Sequence, residues 1–420
     1  MERRLKVLAS AYACSPLLGS EQAVGWGWVN AIARRHEVWV ITADFHQRDI
    51  DTEVARHPER YRNMTFCYVP RTRWLFLEKV WPPAYLWTYR FWLRDAYRRG
   101  RALHQQLHFD LAHQVTYVGF RVPGYLWKLD LPFVWGPIGG LENTPARFLP
   151  MMGLRGGLYY AARNVINTCH KLLLPLPRYA FRKARGQIIA ATAGIQREIR
   201  RWYGADSEVI CEVGPPPDVA RAPSQREPGE PLRLSWSGQH LPGKALPLLL
   251  RALAQLPAGL AWELDILGEG PCTRSWRRLA RKLGIGDACR WRGLVPRADA
   301  VAAVHRSHVF VITSLKDLTS TVLLEALAQG VPVVCPDHCG FGDVITPDCG
   351  VKLPVRSPRQ FAAALAAAIA GLARDEPERR RRAAGALRRI ADFAWEHKAE
   401  RLDAIYRQAV TRPAGEVTAP

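Results

Sequence analysis

Residues 309–343 read VFVITSLKDLTSTVLLEALAQGVPVVCPDHCGFGD, and this stretch carries the most informative pattern of the chain. An apolar strand ends at Thr313, a polar loop follows, and Thr319 or Ser320 can cap a helix. Gly330 then ends the helix before a second apolar run. The stretch therefore predicts a strand, a loop, a helix and a further strand, as in an α/β fold.

Two acidic residues of this stretch are candidates for a ligand site. The predicted helix starts at the carboxyl end of a strand, where its first amide groups and its positive dipole end can hold phosphate or polar sugar groups. Glu325 lies one turn further in and can accept hydrogen bonds from hydroxyls, and Asp317 lies eight residues earlier, in the loop. Spacing alone also fits a loop carboxylate and a solvated helix residue, so both interpretations stay open.

Similar units extend in both directions along the chain. Short β-rich runs alternate with helical patterns, which is typical of βαβ units and a parallel sheet. The strands predicted in the first half are residues 6–9, 37–42, 65–69, 110–113, 133–135, 187–192 and 208–213. Those predicted in the second half are residues 232–237, 262–267, 289–293, 309–313 and 331–335. We predict an α/β protein with two Rossmann-like doubly wound domains facing a central cleft.

The boundaries follow from one interruption of this alternation. Residues 214–231, GPPPDVARAPSQREPGEP, are rich in proline and polar residues and are predicted to link the domains. The N-terminal domain then covers residues 1–213 and the C-terminal domain residues 232–395. Residues 396–420 are expected to form a helix that returns to the N-terminal domain, followed by a disordered tail.

Composition narrows the class of protein. With 59 Lys and Arg against 38 Asp and Glu, the net charge of +21 attracts nucleotides, phospholipid headgroups or nucleic acid. The longest apolar run, residues 361–373, is shorter than the roughly 20 residues of a membrane-spanning helix, so no span is predicted. Nine scattered cysteines without a convincing export signal favour a reducing cytoplasm. Cys335, His338 and Cys339 lack paired metal-ligand spacing, and no metal is expected.

A second informative stretch, residues 232–253, reads LRLSWSGQHLPGKALPLLLRAL. It predicts a strand, a turn with glycines and an apolar helix that opens near Lys244. A diphosphate at this helix start would meet amide groups and one ammonium group, which stabilise the charge of a leaving group. The alternative is an ordinary surface lysine at a helix start.

The stretch of residues 309–343 resembles the signature of retaining nucleotide-sugar glycosyltransferases of family 4, which have the two-domain GT-B fold. That signature has a Glu, seven residues and a second Glu before an apolar helix and a Gly-Pro-Val-Val turn. Here Asp317, seven residues and Glu325 precede the sequence GVPVV at residues 330–334. The resemblance implies that Glu325 binds the ribose hydroxyls and that Asp317 helps to hold the donor sugar. Residues 318–320, Leu-Thr-Ser, replace the usual Gly-Phe-Gly.

The same resemblance implies a donor site in the C-terminal domain and an acceptor site in the N-terminal domain. Lys244 aligns with the lysine of the family's phosphate-binding turn, whereas Gln239 replaces an arginine and Ala245 a glycine. Gly268 follows a strand, and the strand end near Arg292 supplies backbone contact to the base. The residues assigned to the donor are Gly19, Ser20, Gln239, Lys244, Gly268, Arg292, Thr319, Ser320, Thr321 and Glu325.

In the N-terminal half, residues 19–21 resemble the family's first loop, which approaches the donor phosphates and sugar. The alternative for Glu21 is that its carboxylate only interacts favourably with the positive end of the helix dipole. Many relatives place a histidine after the strand at residues 133–135, and this chain has none there. His113 and Glu142 are therefore candidates at the reacting face, with packed or solvent-facing side chains as the alternative. The predicted catalytic set is Lys244, Asp317, His113 and Glu142.

The resemblance also implies retention of anomeric configuration. The acceptor hydroxyl attacks on the face of the leaving group, and the donor phosphate takes its proton. Neither a metal nor a cofactor is needed. A noncatalytic scaffold that binds a nucleotide sugar is the alternative, because Gln239, Ala245 and Asp317 depart from the family pattern.

Residues 71–101 contain nine aromatic and eight basic residues against two acids. This mixture suits a bilayer interface with anionic lipid, single-stranded nucleic acid, or a helical hairpin with a basic exterior. We favour the membrane, because a lipid-linked acceptor would require the enzyme at that surface. The expected partners are a nucleotide-sugar donor, a glycan or lipid-linked acceptor and an anionic membrane, but not nucleic acid, for which no recognition motif is present. The expected location is the inner face of the cytoplasmic membrane.

Overall fold

The computed structural model describes residues 3–71, 85–184, 186–216 and 222–411. Part of the predicted linker, most of the predicted tail and the first part of the basic aromatic segment therefore lie outside the described residues. The strands are β1 Lys6–Ala11, β2 Glu37–Ala43, β3 Met64–Val69, β4 Leu111–Thr116, β5 Phe133–Ile138, β6 Ile188–Ala190, β7 Glu208–Val209, β8 Leu232–Ser237, β9 Trp262–Leu267, β10 Cys289–Gly293, β11 Val309–Val311, β12 Val333–Pro336 and β13 Gly350–Leu353.

Helices follow most of these strands. They are α1 Glu21–Ala33, α2 Gln47–Arg56, α3 Tyr85–Leu107, α4 Gly153–Leu173, α5 Pro175–Lys183, α6 Ala193–Tyr203, α7 Leu246–Leu253, α8 Thr273–Lys282, α9 Arg297–His305, α10 Thr321–Ala328, α11 Phe341–Val344, α12 Pro358–Arg374, α13 Glu376–Arg389 and α14 Trp395–Thr411. Among the described helices, none is both long enough and apolar enough to cross a bilayer.

The chain forms two compact units. The first unit contains Met1–Leu141, Cys169–Gly214 and Ala394–Pro420, and the second contains Glu142–Thr168 and Pro215–Phe393. The predicted N-terminal domain, residues 1–213, is corrected in one respect, because residues 142–168 pack with the second unit. Burial of an aromatic side chain explains this placement: Phe148 joins the core of the second unit.

In its described residues, the first unit contains a seven-stranded sheet in the order β3-β2-β1-β4-β5-β6-β7. All of its strand pairs are parallel. The strands β4 and β5 are buried along their whole length, as expected for a parallel sheet that is covered on both faces. Helix α14 belongs to this unit, where the buried Lys398 donates a hydrogen bond to the carbonyl oxygen of Cys211 at 2.8 Å.

The second unit contains, within its described residues, a six-stranded parallel sheet in the order β10-β9-β8-β11-β12-β13. The chain starts in the middle of this sheet at β8, adds β9 and β10 on one side, and then crosses to β11 on the other side. The carboxyl ends of β8 and β11 therefore form a topological switch point, the usual place for a ligand. Helix α7 packs beside them, and seven of its eight residues, all of them Leu, Pro or Ala, are buried.

Together the two sheets confirm the predicted α/β class with two Rossmann-like domains. The predicted strands at residues 232–237, 262–267 and 289–293 coincide with β8, β9 and β10. Strand β13 was not predicted.

Candidate functional site

The loops that follow β8 and β11 lie side by side at the switch point of the second unit. The hydroxyl of Thr313 donates a hydrogen bond to the carbonyl oxygen of Lys244 at 2.7 Å. The backbone N–H of Leu315 donates to the carbonyl oxygen of Gly243 at 2.8 Å. These bonds tie the predicted phosphate turn to the loop that carries Asp317.

Lys244 and Asp317 form an ion pair across the two loops. The ammonium group of Lys244 donates to Oδ2 of Asp317, and the backbone N–H of Leu318 donates to Oδ1 at 3.1 Å. The side chains of Lys244 and Asp317 are 24% and 21% exposed, so the pair remains accessible from solvent. Two residues that the sequence places 73 positions apart are thus brought together, with the cation fixed by the carboxylate.

Glu325 lies on α10 and forms an ion pair with Arg297, the first residue of α9. Both Nε and Nη2 of Arg297 donate to Oε1 of Glu325, at 3.0 Å and 2.8 Å. The Glu325 side chain is 15% exposed and that of Arg297 65% exposed. Arg297 was not among the predicted site residues, although it directly follows the Val-Pro pair at residues 295–296 that supports the family register.

Three residues of the predicted donor loops adopt a backbone conformation that usually requires glycine. Ser20 (φ 58°), Ala245 (φ 51°) and Ser320 (φ 72°) each stand immediately before a helix, α1, α7 and α10 respectively. Non-glycine residues with positive φ are uncommon, and they cluster at functional sites. The predicted cap is corrected here: Ser320 precedes the helix, but its side chain makes no capping hydrogen bond.

The loop after β9 contacts the phosphate turn through Gly268. Its φ is 104°, and a Cβ at this position would lie 2.2 Å from the carbonyl oxygen of Gly238. Only glycine permits this close approach. Gln239, the next residue of the phosphate turn, is exposed.

The side chain of Arg292 points to the sheet. Its Nε donates to Oδ1 of Asp265 on β9 at 2.8 Å, and this hydrogen bond raises the pKa of Arg292. Arg292 also lines a cavity of about 410 Å³ together with Arg233, Glu263 and Arg290, among other residues. The Arg292 side chain is therefore paired with a carboxylate. Any contact of Arg292 with the nucleotide base would come from its backbone.

Glu142 belongs to the second unit and lies beside the Asp317 loop. The ammonium group of Lys316 donates to the carbonyl oxygen of Glu142. On α4, the hydroxyl of Tyr160 lies close enough to Gly243 that a Cβ there would approach it to 2.5 Å. Residues 142–168 thus support both loops of the switch point. Lys316, a second cation near Asp317, was not predicted.

Thr319, in the loop before α10, is buried, whereas Thr321, the first residue of α10, is exposed. Gly19 is exposed in the first unit, ahead of α1. In the same unit, Glu21 accepts a hydrogen bond from the backbone N–H of Val118 at 2.8 Å, and burial raises the pKa of its carboxyl. Gly19 and Ser20 stay predictions, since both belong to the other unit.

The prediction that His113 lies at the reacting face needs correction. Its ring is fully buried in the first unit, with Nδ1 bonded to the hydroxyl of Tyr406 at 2.6 Å and Nε2 to the carbonyl oxygen of Gly136 at 2.8 Å. Both ring nitrogens therefore have protein partners, and burial lowers the pKa of His113 to about 4. His113 connects β4 to helix α14 instead of facing a substrate.

The cysteines near α11 are buried, including Cys335 and Cys339. Across the part of the chain that the structure describes, no group of three His, Cys, Asp or Glu side chains is arranged to hold a metal ion.

Comparison with known proteins shows which family model and which relatives this chain is similar to. Residues 221–388 match the family model described as "Glycosyl transferases group 1". The D-inositol 3-phosphate glycosyltransferase of Kineococcus radiotolerans is 28% identical over 349 residues, which cover 76% of this chain and 75% of that protein. The putative colanic acid biosynthesis glycosyltransferase WcaL of Salmonella typhimurium is 30% identical over 264 residues, 59% of this chain and 64% of that protein.

Solved structures share the fold. The lipopolysaccharide outer core galactosyltransferase WaaB in its apo form superposes with a TM-score of 0.63 at 15% identity, over 96% of this chain and 100% of that chain. Anabaena HepE in complex with UDP gives a TM-score of 0.59 at 13% identity, again over 96% and 100%.

Proposed function

We propose that this chain, a glycosyltransferase of the GT-B fold that carries a group 1 domain, transfers a sugar from a nucleoside diphosphate sugar to a glycan or lipid-linked acceptor. The proposal adds that the anomeric configuration is retained. The observation that carries it is the meeting of two predicted donor residues, Lys244 and Asp317, across the switch point, with Glu325 on the helix that follows.

Lys244 is assigned to the diphosphate. Lys244 directly precedes Ala245, the residue before α7, so a phosphate at this helix start would meet a cation and the positive end of the helix dipole. Charge on the departing diphosphate grows in the transition state, and a preorganised cation stabilises it. Asp317 keeps the ammonium group in place and offers Oδ1 and Oδ2 to the hydroxyls of the donor sugar.

Glu325 is assigned to the ribose. The hydrogen bonds from Arg297 both end on Oε1, which leaves Oε2 to accept hydrogen bonds from ribose hydroxyls. In this arrangement Arg297 fixes the direction of the carboxylate.

The reaction needs no carboxylate nucleophile. The acceptor oxygen forms a bond to the anomeric carbon on the face from which the diphosphate leaves, and the bond between that carbon and the phosphate oxygen breaks. The proton of the acceptor hydroxyl passes to the departing phosphate oxygen, so that the products are a glycoside and a nucleoside diphosphate. Because His113 is buried and bonded within the protein, Glu142 remains as the predicted residue for a further polar contact at the reacting face.

The proposed place of action is an anionic membrane surface on the cytoplasmic side. Within the described part of the basic aromatic segment, α3 exposes Trp87 and Phe91 together with Arg90 and Arg94. Rings and arginines on one exposed helix surface suit lipid headgroups. A lipid-linked acceptor would be met at that surface.

The test is an assay of the purified protein with a panel of nucleotide sugars and glycan or lipid acceptors. The expected result is release of a nucleoside diphosphate together with a product whose anomeric proton coupling matches the donor. A product of inverted configuration overturns the retaining mechanism. Saturable nucleotide binding without turnover on any acceptor instead supports a noncatalytic scaffold.

A further inference from the structure

Helix α4 (Gly153–Leu173) turns its polar side toward the protein. Within residues 153–168, Asn164 accepts a hydrogen bond from the N–H of Thr144 at 2.9 Å and donates one to its carbonyl oxygen at 2.8 Å. Asn167 donates to the side chain of Asn143 at 2.8 Å. The inward side of the helix is thus held by hydrogen bonds, which reverses the usual arrangement of an amphipathic surface helix.

The opposite side of the helix is apolar and faces solvent. Leu154, Leu158 and Val165 are 81%, 63% and 63% exposed, and their spacing of four and seven residues places them along one face. Tyr159 and Ile166 widen this exposed surface, with 58% and 52% exposure. Contiguous apolar exposure of this kind marks an interaction site. We call these five residues the α4 outer face.

The charged residues in the sequence around α4 have one sign. Residues 143–197 contain nine Lys and Arg and no Asp or Glu. Arg155 and Arg163 are exposed on α4 itself, and the exposed Arg147 lies just before it. An apolar strip bordered by arginines fits a surface that is apolar inside and negative outside.

We infer that the α4 outer face docks on an anionic lipid bilayer, with the helix lying in the plane of the headgroups. The leucines and Val165 would enter the acyl boundary while Arg155 and Arg163 meet lipid phosphates. A second copy of this chain is a poorer occupant, because a two-fold contact would place the same arginines against each other. The inference deepens the proposed function, on which it rests for the lipid-linked acceptor, since it names a membrane-binding surface in addition to the exposed residues of α3.

The experiment is flotation with vesicles of phosphatidylglycerol and phosphatidylcholine in equal parts, and with phosphatidylcholine alone. Wild-type protein should float with the anionic vesicles and less with the neutral ones. The triple variant Leu154→Gln, Leu158→Gln, Val165→Gln should lower the partition coefficient on the order of tenfold or more, as loss of buried apolar area predicts. The double variant Arg155→Gln, Arg163→Gln should also lower it on the order of tenfold, but only on anionic vesicles.

Matched controls are Leu294→Gln, an exposed leucine that is 79% accessible elsewhere in the second unit, and Arg359→Gln, an exposed arginine on α12. Both should float like the wild type. Calorimetric titration with UDP, GDP and ADP checks the nucleotide site separately, and the triple variant should match the wild type there.

Three flotation results would each overturn the inference: wild-type protein that does not float, a triple variant that floats like the wild type, or loss of flotation confined to a variant of α3 with Arg90→Gln and Arg94→Gln. Sedimentation that shows self-association through the α4 outer face without vesicle binding also overturns it, in favour of a dimer. None of these outcomes bears on sugar transfer, which fails separately if no nucleotide sugar is turned over in the presence of acceptor.

Discussion

At the residue scale, the candidate site depends on two ion pairs that bring together separate parts of the second unit. Lys244 pairs with Asp317, and Glu325 pairs with Arg297. All four side chains retain some exposure, so their partners can be exchanged for groups of a ligand. Partly exposed ion pairs contribute little to stability, typically about 0–1 kcal/mol, and changes to them should act mainly on binding and turnover.

Replacing Lys244 with alanine should lower the turnover number on the order of tenfold to a thousandfold, because the departing diphosphate loses its cation. Lys244→Arg should retain part of the activity, since the charge is kept. The measurement is the initial rate of nucleoside diphosphate release at saturating donor. A rate for Lys244→Ala close to that of the wild type would remove this residue from the phosphate site.

Changes to the ion pair of Glu325 and Arg297 should distinguish the residue that binds the donor from the residue that positions it. Glu325→Gln should raise KM for the donor on the order of tenfold to a hundredfold, because a neutral amide is a weaker acceptor for the ribose hydroxyls. Arg297→Gln should raise KM less, roughly threefold to tenfold, because the carboxylate remains but is no longer held. Arg278→Gln, an exposed arginine on α8, is the matched control. If Arg297→Gln lowers the turnover number and leaves KM unchanged, its positioning role is refuted.

At the scale of elements, the starts of α1, α7 and α10 share a strained residue. Glycine would relieve the positive φ at each, yet the chain has Ser20, Ala245 and Ser320. At Ala245 and Ser320 the family pattern has glycine. The positive φ is therefore kept at these two positions although the residue is no longer glycine. The strain is therefore retained at the loops that would carry the donor.

The variant Ser320→Gly should raise the free energy of unfolding by roughly 1 kcal/mol, because a residue with φ 72° no longer clashes with its own backbone. No capping hydrogen bond is lost, since Ser320 makes none. Urea unfolding with constant m-value measures the change. The control is Ser320→Ala, which keeps the Cβ and should not gain stability; equal stability of the glycine and serine forms would show that no strain is stored here.

Strands could be predicted where the local sequence carries an apolar or alternating pattern, and not where only tertiary contact defines them. Strands β8, β9 and β10 followed from runs of alternating or apolar residues bounded by polar turns. Strand β13 (Gly350–Leu353) is short, starts with glycine and carries the exposed Lys352, so it lacks such a signal. Its pairing with β12 comes from tertiary contact, which local sequence does not encode.

The site was predictable where a residue lies next to a strand end and unpredictable where it acts through a distant partner. Lys244 and Asp317 each follow a strand and meet because β8 and β11 are neighbours. Arg297 reaches Glu325 over 28 positions, from the start of another helix. His113 also follows the pattern of a strand end, but its burial against Tyr406 depends on a helix almost 300 residues later in the chain.

At the scale of the whole molecule, buried histidines in both units couple folding to pH. His36 in the first unit accepts a hydrogen bond at Nδ1 from the N–H of Leu5 at 3.4 Å, and His308 in the second accepts one from Arg233 at 3.0 Å. A nitrogen that accepts a hydrogen bond cannot carry a proton, so protonation breaks these contacts. Burial, first of all, lowers the pKa of His36 and of His308 to about 4.

Because both folded-state values lie below the ordinary 6.5, the unfolded chain binds these protons more readily between about pH 6.5 and pH 4. The contribution to stability is complete above this window and is lost as the pH falls through it. At pH 5 each histidine should lower the free energy of unfolding on the order of 1–2 kcal/mol relative to pH 7.

We therefore expect the unfolding temperature to fall steadily from pH 7 to pH 5, as measured by calorimetry. His308→Asn should weaken that dependence, because the asparagine oxygen can accept the hydrogen bond from Arg233 and has no proton to gain in this range. The variant should be less stable at pH 7, where it loses the contact from Nε2 to the carbonyl oxygen of Gln225, and should approach the wild type at pH 5. Parallel curves for the two proteins would show that His308 takes no part in the acid sensitivity, and the loss would then belong to other groups in the fold.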